Sequence, residues 1–187
     1  AEYRAKGQGH LLDGFMSRAY GHVLICGALV TTCCYPLTSL LGEPGRVLAA
    51  HWVPACLMAI ATAVVYCNSA LLVGLKRPFA GFFADTIFRP LLIIACFAIA
   101  GLAMGAEAKL GEMIWLLALG FAAIAAAQFW WVRRVAQELP RGSEPMPGES
   151  RRWWKFALPW VVIALATDFF FDIDLLLLSG MLDRETL

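Results

Sequence analysis

The sequence predicts an all-α, polytopic integral membrane protein with five transmembrane helices. Two observations are compositional: 60% of the 187 residues are hydrophobic and only 16% are charged, and the mean hydropathy is +0.70. A soluble domain cannot hide that much apolar surface. The third observation is that the apolar residues group into stretches of the roughly 20 residues that a helix needs to cross a hydrocarbon core of about 30 Å.

Five such stretches follow one another along the chain. A soluble helical bundle would carry polar residues along one face of each helix, and a segment such as 91–100 has none. Residues 136–152 are rich in Pro, Gly and Glu, which is typical of a flexible linker, here a cytoplasmic one. We therefore predict one group of helices in residues 1–135 and the first helix of a second group in residues 153–187. The predicted spans are 20–41, 50–74, 80–105, 111–132 and 156–181.

The basic residues predict the orientation of these spans. Of the 15 Lys and Arg residues, 12 fall at the amino end, around the loop at 76–89 or in the region 133–155, and only Arg46, Lys109 and Arg184 fall on the opposite side. Basic residues in short loops stay on the cytoplasmic side, so the amino end is predicted to be cytoplasmic and the carboxyl end outside. The chain begins without Met and stops soon after the fifth span, so we expect an interior fragment of a larger transporter-like protein.

The sequence gives no reason to expect a metal, a cofactor or nucleic acid. The six cysteines all lie in predicted spans and form no CxxC pair, and the three histidines show no ligand spacing. Nucleic-acid binding would need a basic face or a platform of interleaved basic and aromatic residues, and neither is present.

Three carboxylates in the last span, Asp168, Asp172 and Asp174, are the first candidate site residues. Asp168 and Asp172 are four residues apart and share a helix face, whereas Asp174 lies about 200° around the helix from Asp172. Two stacked acids in a partly dry cavity repel, which favours proton or cation coupling. Pairing with Arg, Thr or backbone donors on neighbouring helices is the structural alternative.

A second group of candidates lies in the second and third spans. Asp85 and Arg89 stand at helical spacing near the predicted cytoplasmic end of the third span and can pair with each other. A desolvated Arg suits phosphate or pyrophosphate because its planar donors grip two oxygens; the alternatives are pairing with Asp85 alone or snorkelling to the interface. Asn68, like Tyr66 and Gln128, is either a ligand or an interhelical hydrogen-bond partner.

Two strings of residues resemble a known family. Leu71-Leu-Val-Gly-Leu-Lys-Arg-Pro78, followed by Asp85, Arg89 and Pro90, resembles the fourth and fifth helices of bacterial polysaccharide flippases of the multidrug/oligosaccharidyl-lipid/polysaccharide exporter superfamily. Asp174 before a Leu-rich run resembles that family's seventh helix, with Asp183-Arg184 in place of its usual Gly-Pro. The resemblance covers almost the whole chain and implies helices three to seven of a two-lobe protein with about 12 to 14 helices.

What the resemblance implies is a flippase in the bacterial cytoplasmic membrane that moves a polyprenyl-pyrophosphate-linked oligosaccharide for surface polysaccharide biosynthesis. Basic groups would hold the pyrophosphate, and a proton or sodium ion would bias two alternating-access states. Of the three acids in the last span, only Asp174 has a counterpart in the family. The alternatives are a drug or small-molecule exporter of the same superfamily, or a membrane enzyme that uses Asp172 and Asp174 to bind a metal and act on lipid phosphates.

Overall fold

The computed structural model describes residues 9–104, 110–138 and 149–181, and every regular element in these ranges is helical. The chain divides into two compact units, residues 1–145 and 146–187, whose boundary falls inside the predicted linker. The elements of the first unit are α1 (Gly9–Cys34), a 3-10 helix (Pro36–Leu41), α2 (Gly42–Ala50), α3 (Trp52–Gly74), α4 (Pro78–Phe83), a π-helical segment (Ala84–Phe88), α5 (Arg89–Met104) and α6 (Leu110–Gln137); the second unit contains α7 (Glu149–Met181).

Three helices of the described residues are long and apolar enough to cross a membrane, which confirms the second, third and fourth predicted spans. They run over Trp52–Gly74, Pro78–Leu102 and Leu110–Gln137. A fourth span is possible if the bent pair Leu11–Cys34 and Pro36–Ala50 counts as one crossing.

The first predicted span, 20–41, is wrong in its start and in being one continuous helix. Its helix begins eleven residues earlier, at Gly9, and breaks after Cys34 with a bend of 45°. Pro36 explains the break, because it has no N–H to continue the helical ladder and its ring crowds the carbonyl of the preceding turn. The early start is explained by Leu11, Leu12 and Met16, which are buried against the rest of the unit.

The fifth predicted span falls within α7, a helix of 33 residues. At about 1.5 Å per residue it is roughly 50 Å long, more than one hydrocarbon core requires. It begins at Glu149, so its first turn covers residues that the composition predicts as linker. Because many side chains of α7 lie outside the described ones, the membrane crossing of this helix stays a prediction.

The core of the first unit is built around α3, which packs most extensively against α6. Two clusters of buried apolar side chains lie along this contact. One combines Leu72, Leu75 and Val132 with residues of α1, and the other combines Val65, Phe121 and Ala125 with the π segment. Many large apolar side chains are left outside, up to 90% exposed at Leu102, as a lipid-facing surface requires.

A tight turn joins α3 to α4 and reverses the chain. Arg77 donates its N–H to the carbonyl of Leu72 at 2.8 Å, and Lys76 donates to Val73 at 3.0 Å. These are the two bonds of a Schellman motif, with Lys76 in the left-handed position at φ 60°. Pro78 then starts α4 with a residue whose missing N–H would have been unpaired anyway.

Asn68 joins three helices inside the core. Its side chain is fully buried, its Oδ1 accepts a hydrogen bond from the Tyr20 hydroxyl at 2.5 Å, and its Nδ2 donates to the carbonyl of Ala125 at 3.0 Å. Gln128, also buried, is less well bonded. Its Nε2 lies 3.4 Å from Ser69 Oγ, and its Oε1 has no hydrogen-bond partner among the described residues.

This difference in hydrogen bonding predicts different losses of stability for two similar substitutions. Asn68→Leu should lower the free energy of unfolding by about 1 kcal/mol, because it removes two interhelical bonds. Gln128→Met should be close to neutral, because it removes a buried carbonyl that already lacks a partner. Reversible unfolding of the purified protein in detergent measures both. A larger loss for Gln128→Met than for Asn68→Leu would contradict this account.

Candidate functional site around Arg89

The candidate site is built on the π-helical segment Ala84–Phe88. The N–H of Arg89 donates to the carbonyl of Ala84, five residues earlier, which is the wide turn of a π-helix. Pro90 follows directly. It has no N–H to donate to the carbonyl of Thr86, and its ring crowds that carbonyl. A wide turn just before the proline relieves that crowding, and such π turns are frequent at functional sites.

Arg89 is held by groups from three helices. Its Nη1 donates to Asp85 Oδ1 at 3.0 Å and to the Tyr66 hydroxyl of α3 at 3.0 Å. The guanidinium carbon lies 5.3 Å from the ring centre of Phe121 on α6 and 6.0 Å from that of Tyr66, within reach of cation–π attraction. The predicted pairing of Asp85 with Arg89 is confirmed.

The ion pair is neither deeply buried nor fully exposed. The side chains of Arg89 and Asp85 are 35% and 39% exposed. Both hydrogen bonds of the guanidinium use Nη1, so the Nη2 and Nε donors have no hydrogen-bond partner among the described residues. These free donors form the flat edge that can grip two oxygens of one anion.

The position of Arg89 along its helix differs from the prediction. Arg89 stands eleven residues after Pro78 and thirteen before Leu102, close to the middle of the apolar helix rather than near its predicted cytoplasmic end. The difference arises because the predicted span, 80–105, puts Arg89 nine residues from its start and sixteen from its end, whereas the apolar helix begins at Pro78 and ends at Leu102. A charge at mid-helix is costlier than one near an end, where the side chain could reach water.

Asn68 does not belong to this site, and the three acids of the last predicted span lie in the second unit. Asn68 is two residues from Tyr66 on α3 but points to Tyr20 and Ala125 in the interior, so the structure gives it a packing role, and its assignment as a substrate-binding residue stays a prediction. The backbones of Asp168, Asp172 and Asp174 belong to α7. Their side chains lie outside the described ones, so their roles also stay predictions. Among the described residues, no cluster of His, Cys, Asp and Glu could hold a metal ion.

Nothing in the sequence identifies Phe121 or Tyr66 as a partner of Arg89. Phe121 is one of many apolar residues of α6, and only the packing of α6 against α3 brings it to the guanidinium. The polar hydroxyl of Tyr66 in an apolar span marks a hydrogen-bonding residue, but the sequence does not show which group it bonds.

Comparisons of the chain with protein-family models, with curated proteins and with solved structures found no match. The resemblance to polysaccharide flippases therefore rests on the sequence motifs alone.

Proposed function

We propose that this chain forms part of a transporter that flips a polyprenyl-pyrophosphate-linked oligosaccharide across the bacterial cytoplasmic membrane. The observation that carries the proposal is Arg89, a cation near the middle of an apolar helix, whose Nη2 and Nε donors have no bond among the described residues. A charge inside a membrane span is expensive and therefore points to function by default. The three to four apolar helices supply the membrane embedding that such a transporter needs.

The chemistry of the site suits an anionic headgroup. Phosphate and pyrophosphate oxygens accept two parallel hydrogen bonds from one guanidinium edge. Tyr66 and Asp85 fix the opposite edge through Nη1, so little conformational freedom is lost when an anion binds. The lipid tail of the substrate would stay in the bilayer beside the helices.

Asp85 gives this site a means of release. While the site is empty, the carboxylate neutralises Arg89 and lowers the cost of holding the cation inside the membrane. A pyrophosphate on the free edge shares the guanidinium with that carboxylate, whose negative charge weakens the hold on the anion. A difference in this balance between inward-open and outward-open states would couple release of the substrate to the change of state.

The acids of α7 are assigned to ion coupling. Asp174 is supported by the family resemblance, and Asp168 and Asp172 by their spacing of one helical turn. A proton or sodium ion taken up at these carboxylates would bias the two states of the transporter.

Translocation of a labelled lipid by the full-length protein tests the proposal. Liposomes containing the protein and a fluorescent polyprenyl-pyrophosphate oligosaccharide are treated with a reductant that bleaches only the outer leaflet. We expect the protein to speed the loss of fluorescence relative to protein-free liposomes, with no chemical change of the lipid by mass spectrometry. Asp174→Asn should slow this exchange when a proton or sodium gradient is applied, at an unchanged protein level.

Other results would overturn the proposal. Turnover of the lipid phosphate that depends on a divalent metal would identify an enzyme. Transport of drugs without any movement of the tagged lipid would identify a small-molecule exporter.

A further inference from the structure

A basic cleft lies where α6 ends beside the turn into α4. It has a volume of about 420 Å³ and is lined by Arg77, Trp130, Trp131, Arg134, Val135 and Glu138. The guanidinium of Arg134 lies 5.4 Å from the ring centre of Trp130. Neither arginine forms an ion pair within the part of the chain that the structure describes. Two arginines and one glutamate give the lining of the cleft a net charge of +1.

The cleft has the composition of a membrane interface. Trp130 and Trp131 are 61% and 46% exposed, and tryptophan prefers the headgroup layer, where its ring is partly apolar and partly wet. Arg77 and Arg134 belong to the side that the charge distribution predicts to be cytoplasmic, which is the leaflet richest in anionic headgroups.

An apolar groove adjoins the cleft, and the two share Trp131. The groove has a volume of about 700 Å³, and Gln128 is the single polar residue that lines it. Its lining combines three phenylalanines of the α4 and π region with four alanines that leave room between the helices; these are Phe79, Phe83, Phe88, Ala80, Ala84, Ala123 and Ala127.

The groove matches the depth of one lipid leaflet. From Trp131 back to Ala123 is eight residues of α6, or about 12 Å at 1.5 Å per residue. Half of a hydrocarbon core is about 15 Å. The groove therefore runs from the basic cleft toward the middle of the bilayer, along most of one leaflet.

We propose that the cleft and the groove together form one binding site for an anionic phospholipid of the bilayer. The phosphate would lie between Arg77 and Arg134, and one acyl chain would pass Trp131 into the groove. A helix of another protein could cover the groove, but it would leave the two arginines facing an apolar surface without a partner. This bound lipid is distinct from the transported substrate, and the site does not depend on the proposed function.

Lipid retention by the full-length protein tests this site. The protein is purified in detergent, exposed to equimolar phosphatidylglycerol and phosphatidylcholine, and analysed by native mass spectrometry. We expect phosphatidylglycerol to be retained preferentially. The double variant Arg77→Gln/Arg134→Gln should lower its retention roughly 30-fold, and Ala127→Trp should lower retention of both lipids because it fills the groove.

Matched controls are available on the same chain. Arg46→Gln removes a basic residue from the predicted opposite side, and Ala126→Trp adds the same bulk at an exposed neighbour that does not line the groove; both should retain lipid as the wild type does. For the unaltered protein, preference for phosphatidylglycerol should weaken with added salt. Equal retention of the two lipids by the unaltered protein, or binding of inorganic phosphate as strong as that of the lipid, would overturn the proposal.

Discussion

Replacing Arg89 by alanine is expected to slow lipid translocation by the full-length protein by at least about 100-fold, with the protein still present in the membrane. Hydrogen bonds to a charged group contribute about 1.5 to 3 kcal/mol each, and about 1.4 kcal/mol changes a rate tenfold. The substitution removes the guanidinium edge that we assign to the pyrophosphate and leaves Asp85 without its cation. The bleaching assay with tagged lipid measures the rate, and quantitative immunoblotting measures the protein.

Conservative variants separate charge from geometry at this site. Arg89→Lys keeps the positive charge but loses the planar pair of donors, so translocation should fall by about tenfold rather than remain normal. Tyr66→Phe keeps the aromatic ring and removes only the hydroxyl that fixes Nη1, so its effect should be the smallest of the three.

Arg46 provides the matched control for Arg89. It also lies close to a carboxylate, Glu43, but at 3.6 Å and with 78% of its side chain exposed, where such pairs contribute little. Arg46→Ala should therefore translocate lipid at the normal rate. Arg89→Ala at the normal rate, or an equal loss in Arg46→Ala, would remove the Arg89 site from the mechanism.

The helical fold is largely predictable because apolar length alone identifies a membrane-spanning segment. The predicted span 50–74 differs from α3 by two residues at its start, and 111–132 locates α6 but ends five residues early. Those five residues include Arg133 and Arg134, whose charges end the apolar stretch without ending the helix. Basic residues near a helix carboxyl end are in fact favourable to it.

In the candidate site, only the contact between residues that are close in sequence could be predicted. The spacing of Asp85 and Arg89 places them within reach on any helix, and the structure confirms their contact. The π turn depends on how the chain adapts to Pro90, and the approach of Tyr66 and Phe121 depends on the register of α3 and α6. Membrane helices are apolar on all sides, so their sequences do not show which face packs against a neighbouring helix or in which register.

The turn from α3 into α4 depends on a close approach that only glycine allows. A Cβ atom on Gly81 would lie 2.8 Å from the carbonyl oxygen of Ser69 and 2.9 Å from Val73 Cγ2. The carbonyl belongs to the backbone of α3 and cannot move aside. Gly81→Leu should therefore push α4 away from α3 and lower the free energy of unfolding by about 3 kcal/mol, the upper end for overpacking. It should also lower lipid translocation, because the displaced π segment would carry Arg89 away from Tyr66.

Two other glycines make this prediction specific. Gly101 has nothing within 4 Å of its added Cβ among the described residues, so Gly101→Leu should leave stability and translocation unchanged. At Gly120 the added Cβ would meet Leu92 Cδ1 at 2.5 Å, but the end of a leucine side chain can rotate away. Gly120→Ala should thus cost less than Gly81→Ala in unfolding experiments. If Gly120→Ala costs more, or if Gly81→Leu unfolds with wild-type stability, the close contact between α3 and α4 does not hold Arg89 in place.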